Sequence, residues 1–218
     1  MSAVLARIVD PSGKRSHQVA RLWSKLLCVL NGIKVEIKGL EHVNPNSAQI
    51  LVANHQSFFD IFTLSGYIPI QIRWMAKASL FRIPFVGWAM QAAGYISVDR
   101  ENKRKAYQSF LTTVDKLKSG SSVVIFPEGT RSVDGKIGPF KKGSHLLAIR
   151  SGAPMVPVAI IGTGNIIRKG SAKIFPGPVR IILLPPVIAD KSKNEEAVMD
   201  EIRTAICKTI DENKFQEP

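Results

Sequence analysis

Apolar residues along this chain occur either in short continuous runs or at helical spacing, and the two patterns alternate. Val19, Leu22, Trp23, Leu26, Leu27 and Leu30 recur every three or four residues, with Arg15, Arg21 and Lys25 between them. That spacing predicts an amphipathic helix over 15–30. Ile33 to Lys38 alternates strictly and predicts a half-exposed strand ended by Gly39. The run 49–53 predicts a buried strand, and Phe58, Phe59, Ile61, Phe62 and Leu64 a strongly apolar helix after it. Further strands are predicted at 71–75, 94–98 and 122–126. A helix carrying Tyr107, Phe110, Leu111, Val114 and Leu117 on one face stops at Ser119-Gly120, and another spans 139–150. The apolar strand 155–161 contains Pro157, which predicts an edge position or a neighbouring bulge. Segments 172–175 and 179–184 predict a strand pair around Pro176-Gly177-Pro178, and a helix over about 194–210 follows. Phe81 to Trp88 suits a loop and short helix whose apolar groups face outward or line a groove, or else plain core.

Strands and helices in alternation predict an α/β fold with a mostly parallel mixed sheet covered by helices. No Gly/Ser/Pro linker, charge block or internal repeat divides the chain, so one domain over 32–218 is expected, preceded by a helical segment at 1–31.

Composition narrows the setting. The 218 residues carry 30 Lys and Arg against 17 Asp and Glu, a formal net charge of +13, with 45% hydrophobic residues. Such a chain favours polyanionic partners: nucleic acid, anionic lipid headgroups or phosphorylated substrates. No zinc-finger or aromatic ribonucleoprotein motif accompanies the charge, so nucleic acid is not expected. Two cysteines, both in predicted helices, argue for a reducing compartment without a disulfide framework. Neither a signal peptide nor an apolar run of about 18 residues is present, so any membrane contact is expected to be peripheral. The basic helix 15–30, with Trp23 on its apolar side, fits an interfacial anchor; an ordinary core-packed helix has the same periodicity.

Candidate chemistry lies at strand ends. Asn54-His55-Gln56-Ser57-Phe58-Phe59-Asp60 follows the strand 49–53. Five residues on a helix are about 500° of rotation, which leaves the side chains of His55 and Asp60 about 140° apart. They meet only if His55 occupies the turn before the helix that carries Asp60. There Asp60 fixes the imidazole tautomer and leaves the other nitrogen free as a base; a histidine capping a helix start is the plainer alternative. Lys77, Arg100 and Glu128 to Arg131 also follow predicted strands, and parallel strands bring such ends to one edge. A histidine-aspartate pair beside several cations suits a phosphorylated substrate whose hydroxyl is to be activated. No Gly-x-Ser-x-Gly elbow, His-x-x-x-His, Cys-x-x-Cys or phosphate-cradling Gly-x-x-x-x-Gly-Lys loop occurs. Direct attack by a substrate hydroxyl is therefore favoured over a covalent acyl-enzyme, and metal catalysis has no motif to support it.

Four blocks now stand in order: Asn54-His55-x-x-x-x-Asp60, Gly94 to Arg100, Phe126-Pro127-Glu128-Gly129-Thr130-Arg131-Ser132, and Val156-Pro157-Val158. In these the chain resembles the 1-acylglycerol-3-phosphate O-acyltransferases and their glycerolipid acyltransferase relatives, over about residues 50–160. The resemblance implies that His55 is the general base with Asp60 its orienting partner, and that no metal or other cofactor is needed. It implies that Arg100, Glu128, Gly129, Thr130 and Arg131 shape the glycerophosphate site, with Lys77 an additional phosphate contact. The implied reaction moves a fatty acyl group from acyl-CoA or acyl carrier protein to the free sn-2 hydroxyl of lysophosphatidic acid, giving phosphatidic acid for phospholipid biosynthesis, at the cytoplasmic face of a membrane. Another lysolipid acceptor, such as a lyso-aminolipid, or an inactive lipid-binding protein, is the alternative.

Overall fold

The computed structural model describes residues 13–99, 101–132, 135–167 and 173–215. Helix α1 (Lys14–Leu30) leads into β1 (Ile33–Lys38), β2 (Ile50–Ala53), α2 (Phe59–Tyr67) and β3 (Ile72–Lys77). A 3-10 turn (Ala78–Arg82) and α3 (Val86–Ala92) precede β4 (Ile96–Val98), α4 (Lys103–Lys118) and β5 (Ser122–Ile125). Then come α5 (Gly143–Ser151), β6 (Met155–Ile161), the short α6 (Thr163–Ile166), β7 (Gly177–Leu183) and α7 (Glu195–Glu212).

The strands form one sheet in the order β1-β7-β6-β2-β5-β3-β4, parallel at every pair except the antiparallel β6/β7. The predicted α/β class and mixed, mostly parallel sheet are what the molecule has. Strand alternation sorts the core into two layers. Leu51, Ala53, Val156, Val158 and Ile160 point to the side covered by α1 and α2, with Cys28, Phe59 and Leu64. Ile50, Val52, Met155, Ala159 and Ile161 point to the other, against Val114 and Leu117 of α4, Leu147 of α5, and Val198, Ile202 and Ile206 of α7. Because β2 to β6 run the same way, the segments after His55, Lys77, Val98, Phe126 and Gly162 all leave from one edge.

Of the two positions expected for Pro157, an edge or beside a bulge, the second holds: β6 lies between β7 and β2. The backbone deals with its missing N–H locally. Val158 pairs with Leu183 but Met155 bridges Val187, so the two residues between them on β6, Val156 and Pro157, face three of the neighbour, leaving one extra residue across from Pro157. The predicted bulge is there. The expected strand 172–175 is not: residues 173–176 carry no regular structure, and residue 172 lies outside the described residues. Phe175 instead donates its backbone N–H to Ile166 O at 2.9 Å, closing the loop onto α6. Helix α5 also begins at Gly143 rather than near 139.

Helix α1 is turned inside out relative to an ordinary packed helix. Its buried residues are Ser16, His17, Ser24 and Cys28. Leu22 (70% exposed), Trp23 (57%) and Leu30 (72%) face outward with Leu26 and Val29. Gly66 on α2 permits the close approach, since a Cβ there would lie 3.2 Å from the Lys25 backbone nitrogen. His17 Nε2 donates to Ile70 O at 3.1 Å, and burial, aided by the nearby Arg73 guanidinium, pushes its pKa down to about 4. Ile83, Phe85, Val86 and Trp88 around the start of α3 are exposed as well, so these four side chains of the 81–88 segment face outward rather than into the core, while Phe81 is half-buried. Among the described residues no helix is long and apolar enough to cross a membrane.

Candidate active site

β2 is released from the sheet by a side chain. Beyond Ala53, the buried amide of Asn54 donates from Nδ2 to Ile160 O (2.9 Å) and accepts the Ile160 N–H at Oδ1 (2.8 Å). It continues the ladder with β6 while the backbone turns away, so His55 sits on the turn before α2. The two side chains of the candidate pair then meet: His55 Nδ1 lies 2.7 Å from Asp60 Oδ2. A carboxylate only accepts, so Nδ1 carries the hydrogen and Nε2 keeps its lone pair.

Asp60 has no solvent exposure, and its burial is supported by four donors. Oδ2 also accepts the backbone N–H groups of Gln56 and Ser57, each at 2.8 Å. Oδ1 accepts the hydroxyl of Thr163, the first residue of α6. A buried carboxylate with this many hydrogen bonds is held in one orientation. Ser57 is itself fully buried and donates to Ile167 O at 3.2 Å, so its hydroxyl faces the fold rather than a substrate.

The loop after β5 wraps the same turn. His55 N–H donates to Glu128 Oε1 (2.8 Å), and Gly138 N–H donates to Glu128 Oε2 (3.1 Å). Ser132 N–H in turn donates to His55 O at 2.9 Å. Burial raises the Glu128 carboxyl above its ordinary value, opposed by those two backbone donors. Gly129 adopts φ 80°, a left-handed conformation that a side chain would strain, and its N–H closes a turn onto Phe126 O at 3.0 Å. Thr130 is exposed and donates to Arg131 O at 3.2 Å. Arg131 lays its guanidinium 4.3 Å from the centre of the Phe58 ring, within the His55–Asp60 turn.

The structure thus draws His55, Asp60, Glu128, Gly129, Thr130 and Arg131 into one cluster. Lys77 is the exposed last residue of β3, separated from β2 by β5, about 10 Å across the sheet. Arg100 lies outside the described residues. A cavity of about 560 Å³, lined by Phe81, Arg82, Tyr95, Ser97 and Lys105 among others, opens beside β4. No group of three His, Cys, Asp or Glu side chains suited to a metal occurs among the described residues. Chemically, the cluster offers a lone pair on His55 Nε2, a fixed carboxylate behind it and a guanidinium alongside.

Residues 34–161 match the family described as Acyltransferase. The chain belongs to the acyltransferase family. Over 199 residues, 90% of the chain, it is 36% identical to the chloroplastic 1-acyl-sn-glycerol-3-phosphate acyltransferase of Brassica napus, covering 56% of that protein. It is 32% identical over 185 residues to the 1-acyl-sn-glycerol-3-phosphate acyltransferase of Pseudomonas aeruginosa, covering 83% of this chain and 71% of that one. The crystal structure of the 1-acyl-sn-glycerophosphate acyltransferase PlsC from Thermotoga maritima superposes with a TM-score of 0.84 at 28% identity, covering 95% of this chain and 84% of that chain. The chain spans somewhat over half the length of the plant relatives it matches.

The contacts of two residues at the centre of this acyltransferase escape a sequence reading, although Phe126 stands in the third block. Thr163 lies two places after the strand 155–161, at the same sheet edge as His55, so the strand-end argument extended to β6 finds it. Phe126 stacks its ring on the His55 imidazole, centroids 3.9 Å apart and planes 8° from parallel. Nothing in the one-dimensional pattern distinguishes such a ring from core.

Proposed function

We propose that this acyltransferase moves a fatty acyl group from a thioester donor, acyl-CoA or acyl carrier protein, to the free sn-2 hydroxyl of 1-acylglycerol-3-phosphate, yielding phosphatidic acid. The observation that carries the reading is the 2.7 Å contact between His55 Nδ1 and the buried Asp60, which leaves Nε2 as a base in the cluster that holds Arg131. Similarity to the 1-acyl-sn-glycerol-3-phosphate acyltransferases of Brassica and Pseudomonas and to PlsC of Thermotoga supports the same acceptor. Nε2 takes the hydroxyl proton as the oxygen attacks the thioester carbonyl carbon. The tetrahedral adduct then collapses, the C–S bond breaks, and the thiolate leaves with the proton returned from imidazolium. General-base help of this kind typically contributes about 10²–10⁴-fold. Arg131, with Arg100 and Lys77, holds the acceptor phosphate, while Glu128, Gly129 and Thr130 shape the loop that presents Arg131.

The same proposal places the protein peripherally on the cytoplasmic face of an anionic membrane, through segment 1–31, with 32–218 as the catalytic domain. Residues 1–12 lie outside the described residues; the outward apolar row of α1 supports the reading. Withdrawing a side chain such as Leu22 or Leu30 from water contributes about 1.5–3 kcal/mol. The net charge of +13 adds attraction to anionic lipid. An assay of the purified chain with labelled acyl-CoA and a panel of lysolipid acceptors tests the acceptor. Preference for lysophosphatidic acid supports the reading; clear preference for a phosphate-free acceptor rejects it.

A further inference from the structure

The aromatic pairs of this chain divide by geometry. Phe59 and Phe62 meet edge to face at 5.6 Å, as do Phe85 and Trp88 at 5.1 Å. The parallel pairs Trp74/Phe126 and Tyr107/Phe110 have centroids 5.7 and 6.2 Å apart and are therefore offset. Among the described residues only His55 and Phe126 lie nearly face to face, at 3.9 Å and 8°. Two neutral rings disfavour such a sandwich because their negative faces oppose each other. A cation over an aromatic face gains from the same quadrupole. The Phe126 ring is held in place from behind: it packs on Trp74, which is 3% exposed and fixed by an indole N–H donated to Ser65 Oγ at 2.9 Å.

We propose that Phe126 is a positioning residue of the acyl transfer, whose ring fixes the plane of His55 and stabilises the imidazolium in preference to the imidazole. The proposal rests on His55 acting as the base. As His55 takes the hydroxyl proton, positive charge develops on a ring whose edge faces the Asp60 carboxylate and whose face covers Phe126. The interaction is then stronger in the transition state than with free enzyme, which is the condition for accelerating the chemical step. The other charged group against the His55 turn is Glu128, bound to the His55 backbone N–H; Arg131 stacks on Phe58 of the same turn. Those groups are left in place by a change at residue 126, so the effect of the ring is separable from theirs.

The test is a kcat and KM series with matched pH profiles on the full chain, using lysophosphatidic acid and acyl-CoA. Phe126→Leu removes the quadrupole and keeps an apolar group. Replacement of Phe126 by pentafluorophenylalanine keeps the shape and reverses the quadrupole. Phe126→Tyr keeps the electron-rich face. Cation–π contacts of this size correspond to about a threefold to tenfold effect. Phe126→Leu is therefore expected to lower kcat about threefold to tenfold with the acceptor KM within twofold. The acidic limb of the kcat/KM profile moves to lower pH by about half a unit to one unit, since a tenfold change is one unit. The pentafluoro variant is expected to move the limb the same way or further, and Phe126→Tyr to restore both. An unmoved limb in the pentafluoro variant overturns the proposal, because a ring that only packs tolerates that exchange. Should Phe126→Leu fail to fold, the two ring-preserving variants decide alone. Full activity in His55→Ala would instead remove the base on which the inference stands, so the two failures are told apart.

Discussion

Thr163 and Asp60 are 103 residues apart in the chain and joined by a hydroxyl–carboxylate hydrogen bond in a site without solvent access. Through it the first residue of α6 helps set where the carboxylate behind His55 points. Thr163→Val keeps the shape and removes the donor, leaving one lone pair of a buried carboxylate unmatched. A hydrogen bond to a charged group is worth about 1.5–3 kcal/mol. The expected result is a fall in kcat of about tenfold or more and a loss of stability within that range, with Thr163→Ser restoring most of both. Steady-state kinetics with urea unfolding of the three proteins checks it.

Glu128 uses one oxygen on the His55 turn and the other on Gly138, so it staples two loops together. Glu128→Gln keeps one acceptor but turns an amide N–H₂ toward a backbone N–H. One bond is lost and one buried donor is orphaned, at a cost of about 1–3 kcal/mol. Because the loop that carries Arg131 is released, the acceptor KM should rise along with the fall in kcat, unlike the Phe126 series. Comparing KM for lysophosphatidic acid between wild type and Glu128→Gln tests this.

His17 gives the fold a pH dependence below neutrality. In the native state it binds a proton only near pH 4, against 6.5 for the ordinary side chain, because burial and Arg73 disfavour the charged form. Between those values the unfolded chain holds more protons, so stability is complete above pH 6.5 and falls as pH drops toward 4. By pH 4.5 the loss from this group is about 2.5 kcal/mol. Gln in its place can still donate to Ile70 O but does not titrate. Urea midpoints of wild type and His17→Gln measured from pH 7 to 4.5 should therefore converge or cross as pH falls; parallel curves contradict the assignment.

The outward row of α1 predicts that stability and lipid binding separate. Leu22→Glu combined with Trp23→Glu changes side chains that are 70% and 57% exposed. Thermal unfolding should shift little, while sedimentation with anionic vesicles should fall at least tenfold. Unchanged vesicle binding would remove α1 from the membrane contact.

Much of the sheet was legible because buried parallel strands are written as apolar runs. The runs 49–53, 122–126 and 155–161 became β2, β5 and β6 within a residue or so of their predicted ends. Helix geometry stated the one arrangement in which His55 and Asp60 could meet, and the fold supplies it, with His55 on the turn before α2. Three features were not legible, each for a physical reason. Periodicity found the apolar stripe of α1 but cannot say which stripe faces the protein, and here the serines, His17 and Cys28 do. Pro157 announced an edge or a bulge, and the choice between them is decided by an extra residue in the neighbouring segment, a feature of pairing rather than of local sequence. Thr163 and Phe126 act through contacts closed only by the fold, one at a distance of 103 residues from its partner.

The most direct measurement is single-turnover acyl transfer to lysophosphatidic acid by His55→Ala, alongside vesicle binding and unfolding of the same protein. Loss of the base predicts a rate lower by about 10²–10⁴-fold, with folding and vesicle binding retained. Transfer at the wild-type rate by the folded variant would contradict the account.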